Sequence, residues 1–377
     1  MKQDRHEQGV LELDTPTPQG PLAPAKTSLP KRGGAGRTAA SAAKGRPNPD
    51  HEPAPQSAPR NTPQAETARD ELRNNWETIR ATGEEPRRHL SDRVSLIHGE
   101  ASRWLAALSD NSIHAVVTDP PYGLVEYNGV NQDKLRAGKG GVWRIPPSFD
   151  GAKRSPLPRF TVLSPEDRAA LVVFFATLAK DLTRVLVPGG HILIASNPLL
   201  SSQAFAAFEQ AGLEKRGEII RLVQTLRGGD RPKNAHDEFP EVSMMARSCW
   251  EPWGIFRKPL EGTAAQNLRK WRTGGLRRIS VDEPFKDVIT CSPTRGAEKM
   301  VAPHPSLKPQ RFMRQIVRAA LPLGEGVVYD PFAGGGSTLA AAEALGYTAL
   351  GTERDAQYFE IGCKAFKNLC RSSLSEA

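Results

Sequence analysis

The sequence predicts an α/β protein whose mostly parallel sheet carries helices on both faces. Three observations point there. Short apolar runs alternate with helical stretches from about residue 85, one apolar strand runs into the glycines Gly334-Gly335-Gly336, and another stops at the paired prolines Pro120-Pro121. Parallel neighbours need a crossover between them, and a helix is the usual one.

The elements follow in order. Val94–His98 reads as a strand, Glu100–Leu108 as a helix and Ile113–Thr118 as a buried strand. Ser164 followed by Pro165 gives an N-cap with proline at the first helical position, opening a helix to about Leu186 that Pro188-Gly189-Gly190 ends. His191–Ala195 is the next strand, then a helix around Leu199–Ala211 and a strand around Glu218–Val223. Regularity is lost until about Pro309. It returns with a helix at Gln310–Leu321, a strand at Val327–Asp330, a helix from about Gly336 to Leu345, a strand at Thr348–Thr352 and a final helix from Asp355.

Composition bounds the rest. The chain has 377 residues with 51 Lys+Arg against 42 Asp+Glu, a net charge of +9 that suggests a polyanionic partner. No run approaches the roughly 20 apolar residues that span a bilayer, and the polar start Met-Lys-Gln-Asp-Arg carries no secretory core, so no membrane and a cytoplasmic address are expected. Cys249, Cys291, Cys363 and Cys370 form no C-x-x-C pair, so neither a disulfide nor a metal is expected. Residues 1–70, with eleven of the 32 prolines and no aromatic residue, read as a disordered tail. The expected organisation beyond it is a catalytic half at 85–220 containing a basic loop at 124–161, a basic region at 221–303, and a glycine-loop half at 304–372.

The strand Val327–Asp330 enters Pro331-Phe332-Ala333-Gly334-Gly335-Gly336-Ser337-Thr338, where glycines permit positive φ and close approach of a ligand to the backbone. Glu353 ends the next strand, where a carboxylate can take both hydroxyls of a ribose. An adenosine-containing cofactor therefore fits. Asp330 at the mouth of the loop would repel a pyrophosphate and welcome a cationic amino-acid moiety, which favours S-adenosyl-L-methionine over a dinucleotide.

Asp119-Pro120-Pro121-Tyr122 closes the other strand. Prolines fix φ and supply no N–H, so the turn is stiff and its carbonyls are unpaired. A carboxylate, a free carbonyl and an aromatic face held together suit a planar base with an exocyclic amine: Asp119 and the Pro120 carbonyl accept its two hydrogens and Tyr122 stacks on the ring.

These two motifs in this order, with His304-Pro305-Ser306-Leu307-Lys308-Pro309 just before the second and Val187-Pro188-Gly189-Gly190 between them, resemble the β-class DNA amino-methyltransferases over about residues 94–370. The chain departs from that pattern at Glu100, where Asp is expected, and at Gly335, which replaces a common Ser. The resemblance implies a Rossmann-like S-adenosylmethionine-dependent methyltransferase fold acting on double-stranded DNA. It also implies roles. Glu353 would hold the ribose, Phe332 would pack near the adenine, and Lys308, Asp330, Gly334, Gly336, Ser337 and Thr338 would surround the methionine part. Asp at the first motif position implies adenine N6 rather than cytosine N4, the alternative. A non-catalytic DNA-binding protein with a vestigial fold and a dinucleotide oxidoreductase are the competing readings from other classes. Family members are often dimeric, and a homodimer and a cognate restriction endonuclease stay open as partners.

Residues 221–315 hold eighteen Lys/Arg and ten Asp/Glu, a net of +8. Arg227, Arg231, Lys233, Arg269, Lys270, Arg272, Arg277 and Arg278 stand there among glycines and Trp271, and are expected to contact DNA as a target-recognition region.

Overall fold

The computed structural model describes residues 63–122, 148–149, 152–153, 163–223, 231–232, 234–246, 248–292, 294, 296–304 and 306–372. The first strands and helices are α1 (Pro63–Ala81), β1 (Arg87–His89), β2 (Val94–His98), α2 (Ala101–Ala107) and β3 (Ile113–Thr118). A small antiparallel hairpin, β4 (Ser148–Phe149) and β5 (Ala152–Lys153), falls within the basic loop. Then come α3 (Pro165–Val185), β6 (Leu186–Ala195), α4 (Ser201–Gln210), β7 (Glu214–Leu222), β8 (Trp250–Arg257), α5 (Ala264–Trp271), β9 (Val288–Thr290) and α6 (Gly296–Val301). The chain closes with α7 (Gln310–Ala320), β10 (Val327–Asp330), α8 (Ser337–Ala344), β11 (Thr348–Glu353) and α9 (Ala356–Arg371).

Local sequence explains several boundaries. Ser164 and Asp167 form a reciprocal capping box at the start of α3, with Pro165 inside it. Asp355 caps α9 by accepting from the amides of Gln357 and Tyr358. Two boundaries move. The helix α1 begins inside the segment expected as a tail, because Trp76 and Ile79 supply a buried anchor. The Pro188-Gly189-Gly190 turn lies within β6 rather than between a helix and a strand, so β6 starts at Leu186.

The main sheet has nine strands in the order β1-β2-β11-β10-β3-β6-β8-β7-β9. β2, β11, β10, β3 and β6 are parallel, whereas β8 runs antiparallel to both β6 and β7. β8, α5 and β9 lie in the stretch that lacked regular alternation. The segment expected as a recognition region thus contributes two strands to the sheet itself, because Trp253, Ile255 and Phe256 are core residues.

Side chains alternate between the faces. Leu193 and Ala195 of β6 join Phe312, Ile316, Leu339 and Phe359 on one face, while Ile192 and Ile194 join Trp104, Leu171, Phe175, Phe205 and Phe208 on the other. From β10 the chain crosses through α8 to β11 on one side, and from β3 it crosses to β6 on the other. The carboxyl ends of β10 and β3 therefore flank a topological switch point, where open α/β sheets bind ligands.

Candidate active site

The two motifs, some two hundred residues apart in the chain, meet at this switch point. Thr118, the last residue of β3, donates from its hydroxyl to Asp330 Oδ1 at the end of β10, 2.7 Å away. Asp330 also accepts from the amide of Phe332 at 3.0 Å. It is fully enclosed, and burial pushes its carboxyl up to about 6 despite those donors.

Beyond Asp330 the glycine turn enters α8. Gly334 and Gly336 take positive φ of 50° and 84°, and Gly336 caps the helix whose first residues are Ser337 and Thr338. Glu353, at the end of β11, accepts from the Gly334 amide and the Asp355 amide, each at 2.8 Å. Burial pushes its carboxyl up, and these two N–H groups partly offset that. The Phe332 ring is half-buried, 5.9 Å from Phe174. His304 lies over the turn: a Cβ on Gly334 would come within 3.0 Å of its Nε2. Its imidazole is edge-on to Tyr358, and burial beside Lys308 pulls its pKa down to about 4, so it is neutral at pH 7.

The Asp119 carboxylate is held from two sides. Tyr122 donates its hydroxyl to Oδ1 at 2.6 Å, and Lys308 donates from Nζ to Oδ2 at 2.5 Å. Lys308 stands 3.5 Å from Glu251 Oε2, and Glu251 takes the Trp253 indole N–H at 2.7 Å and faces Arg221 at 3.5 Å. Burial pushes the Asp119 carboxyl up; the Lys308 ammonium and the Tyr122 hydroxyl pull it back.

Lys308, expected at the methionine end of the cofactor, has its ammonium on the Asp119 carboxylate. Thr118, Glu251, Trp253 and Arg221 were not anticipated. Thr118 directly precedes the Asp-Pro-Pro-Tyr turn and could have been suspected; Glu251 gave no local signal, because only the fold of β8 brings it here.

The basic residues separate into two groups. β8 starts at the edge of the sheet that bears the site, since Trp250 pairs with Leu222 at the end of β7. Exposed Arg231 lies in the connection between those two site-edge ends, while Arg227 and Lys233 fall outside the described residues. Residues 269–278 follow the far end of β8 and sit at the opposite edge. There Arg272 pairs with Glu325 at 2.8 Å, Arg277 donates to the Tyr347 hydroxyl at 2.6 Å, and Lys270 pairs with Glu261 at 2.5 Å. Arg278 donates to the carbonyls of Ser280 and Val281, while Arg269 is exposed. A six-residue strand is about 20 Å long, so Arg269, Lys270, Arg272, Arg277 and Arg278, expected to contact DNA, stand across the sheet from the crevice between Asp119 and Asp330. Glu325 and Tyr347, which take two of these arginines, just precede β10 and β11.

The model of the DNA methylase family, of the N6/N4 type, matches residues 113–364 and so includes both motifs. The chain belongs to that family. This N6/N4 DNA methylase is 32% identical over 283 residues to the Type II methyltransferase M2.DpnII of Streptococcus pneumoniae, covering 72% of this chain and 89% of that one. It is 24% identical over 290 residues to the Type II methyltransferase M.HindIII of Haemophilus influenzae, covering 70% and 93%. The fold is shared with the PvuII DNA methyltransferase (cytosine-N4-specific), with a TM-score of 0.50 at 13% identity over 76% of this chain and 90% of that one.

The site of this methylase fits S-adenosylmethionine by the chemistry of its donor set. Two carboxylates, buried Asp330 and half-buried Glu353, suit a cationic ligand and a ribose diol respectively. The amino end of α8 offers N–H groups to a carboxylate. No described helix of the methylase is long and apolar enough to cross a membrane.

Proposed function

We propose that the protein is a site-specific DNA adenine-N6 methyltransferase that uses S-adenosylmethionine. The observation that carries this reading is the placement of Asp119, with its stiff diproline turn, directly across the switch point from Asp330 and the glycine loop. When bound, S-adenosylmethionine supplies an electrophilic methyl group. Glu353 would take the ribose hydroxyls, the half-buried Phe332 would face the adenine, and Asp330 with the Ser337–Thr338 end of α8 would hold the charged amino-acid part.

A base stacked in duplex DNA cannot reach this crevice, so it must be flipped out at a cost of a few kcal/mol. Tyr122 offers a stacking face worth about 1–3 kcal/mol. The exocyclic nitrogen is a poor nucleophile because its lone pair is delocalised into the ring. Hydrogen bonds from its two N–H groups to Asp119 and the Pro120 carbonyl favour a tetrahedral nitrogen and stabilise the positive charge that grows on it. As the N–C bond forms and the S–C bond breaks, the nitrogen sheds a proton, and the adjoining Asp119 carboxylate can accept it. Much of the acceleration is positioning.

Asp at the first motif position supports adenine over cytosine by family resemblance. Arg231, together with Arg227 and Lys233, belongs to the connection that starts and ends at the site edge, which makes it our candidate for target recognition. Mass spectrometry of nucleosides from DNA methylated by the purified protein tests the reading. N6-methyladenine is expected, and N4-methylcytosine alone would overturn the choice of base.

A further inference from the structure

We propose that Lys308 is the positioning residue that keeps the Asp119 carboxylate charged and fixes which of its oxygens meets the substrate amine; this rests on the methyl-transfer reading above. Four ionisable side chains form one enclosed chain: Asp119, Lys308, Glu251 and Arg221, with 16%, 9%, 17% and 4% of their side-chain surface exposed. Two are anionic and two cationic, so the cluster is neutral only with Asp119 ionised. Its far end is anchored, because Arg221 donates to the Ser292 carbonyl at 3.0 Å and lies over the Phe312 ring.

The two oxygens of Asp119 are not equivalent. Oδ2 is engaged by a charged donor that is itself braced by Glu251, whereas among the described residues Oδ1 takes a neutral phenol hydroxyl. Removing a charged, enclosed partner is much costlier than exchanging one neutral hydrogen bond for another. The amine therefore takes Oδ1, and the Tyr122 hydroxyl gives way as its ring turns to the base.

The other groups facing this pair act in both directions. Asp330 on β10 and Glu251 on β8 oppose ionisation of Asp119, Lys308 and Tyr122 favour it, and neutral His304 lies beside Lys308. Lys308 is thus the one full positive charge in direct contact with Asp119 among the described residues. Its loss leaves an enclosed carboxylate facing two others, and that carboxylate takes up a proton at higher pH.

The test compares Lys308→Met and Lys308→Arg with the wild type in single-turnover methyl transfer across pH 5–9, alongside calorimetric titration with S-adenosylmethionine and a thermal melt. In Lys308→Met the rate at neutral pH is expected to fall about 100-fold, the acid limb of the rate profile to move to higher pH, and cofactor affinity to be nearly kept. Lys308→Arg, which keeps the charge, is expected to restore the acid limb. If Lys308→Met folds and binds cofactor weakly while its acid limb stays at the wild-type pH, Lys308 serves the methionine end and the inference is overturned. Should Lys308→Met not fold, Lys308→Gln takes its place: an acid limb moved to higher pH with cofactor affinity nearly kept supports the role, and an unmoved limb with a raised cofactor Kd refutes it. A wild-type protein that methylates no DNA would instead bring down the functional reading, and the inference with it.

Discussion

The hydroxyl of Thr118 donates to the buried Asp330 carboxylate across 2.7 Å, joining residues 212 positions apart. This single bond ties the strand that carries the Asp-Pro-Pro-Tyr turn to the strand that feeds the glycine loop. Thr118→Val keeps the shape and removes the donor, leaving an enclosed carboxylate with one partner fewer. The expected loss is about 1–3 kcal/mol of stability, seen as a lower melting temperature, together with weaker S-adenosylmethionine binding. An unchanged melt and titration would show the bond to be dispensable.

Asp330 also sets a pH dependence. Its carboxyl is raised to about 6 in the folded protein from an ordinary 3.8. The native state therefore holds a proton that the unfolded chain has lost, so stability falls as pH rises between about 4 and 6 and is level above that. A shift of about two units corresponds to roughly 3 kcal/mol. Asp330→Asn should remove this slope and raise the melting temperature of the ligand-free protein at pH 8, while abolishing cofactor binding. Melting curves from pH 5 to 8 check the sign, and a variant that melts lower than the wild type at pH 8 would contradict it.

Asp119→Ala separates binding from chemistry. Asp119 belongs to the turn after β3, whereas Glu353 ends β11 and the glycine loop follows β10. Cofactor titration should be preserved, and methyl transfer should fall about 10²–10³-fold or more. Turnover at the wild-type rate would remove Asp119 from the reaction.

The arginines at the far edge should prove structural. Arg277 hydrogen-bonds Tyr347, and its guanidinium lies against Gly324. Replacing Arg277 with Ala is expected to cost about 1–3 kcal/mol while leaving DNA affinity and its salt slope as in the wild type. Arg231→Ala should do the reverse, lowering affinity and flattening the slope. A flatter slope for the Arg277 variant would put that edge back on the DNA.

Gly335 stands where serine is common in the family pattern. A Cβ there would meet Leu307 Cδ1 at 3.0 Å and His304 Cβ at 3.1 Å. Gly335→Ser should therefore be destabilising by about 1–3 kcal/mol, readable in a denaturant melt; a neutral result would mean that the loop of His304 and Leu307 gives way.

Much of the site was legible because its carriers are local. The Asp-Pro-Pro-Tyr turn is stiff by virtue of proline, and the strand, glycine turn and helix around Gly334–Gly336 are written in adjacent residues. Lys308 and the basic segments were legible only as residue types. The lysine was expected only at the methionine end, because nothing local ties its side chain to Asp119, and +8 of charge in one stretch says nothing about which edge of a sheet each residue occupies. Arg272 and Arg231 are equally basic in sequence, and only the direction of β8 sends them to opposite edges.

The sequence by itself determined the α/β alternation, the two motif turns and the residues able to grip a base amine and an adenosine cofactor, since each depends on backbone preferences and periodicities within a few positions. Tertiary structure decided the rest: that β8 and β9 belong to the sheet, that Thr118 reaches Asp330, and that Lys308 serves Asp119 through a chain ending at Arg221. Those relations depend on contacts between residues far apart in the chain, and the energy of an enclosed charge depends on what folding places beside it.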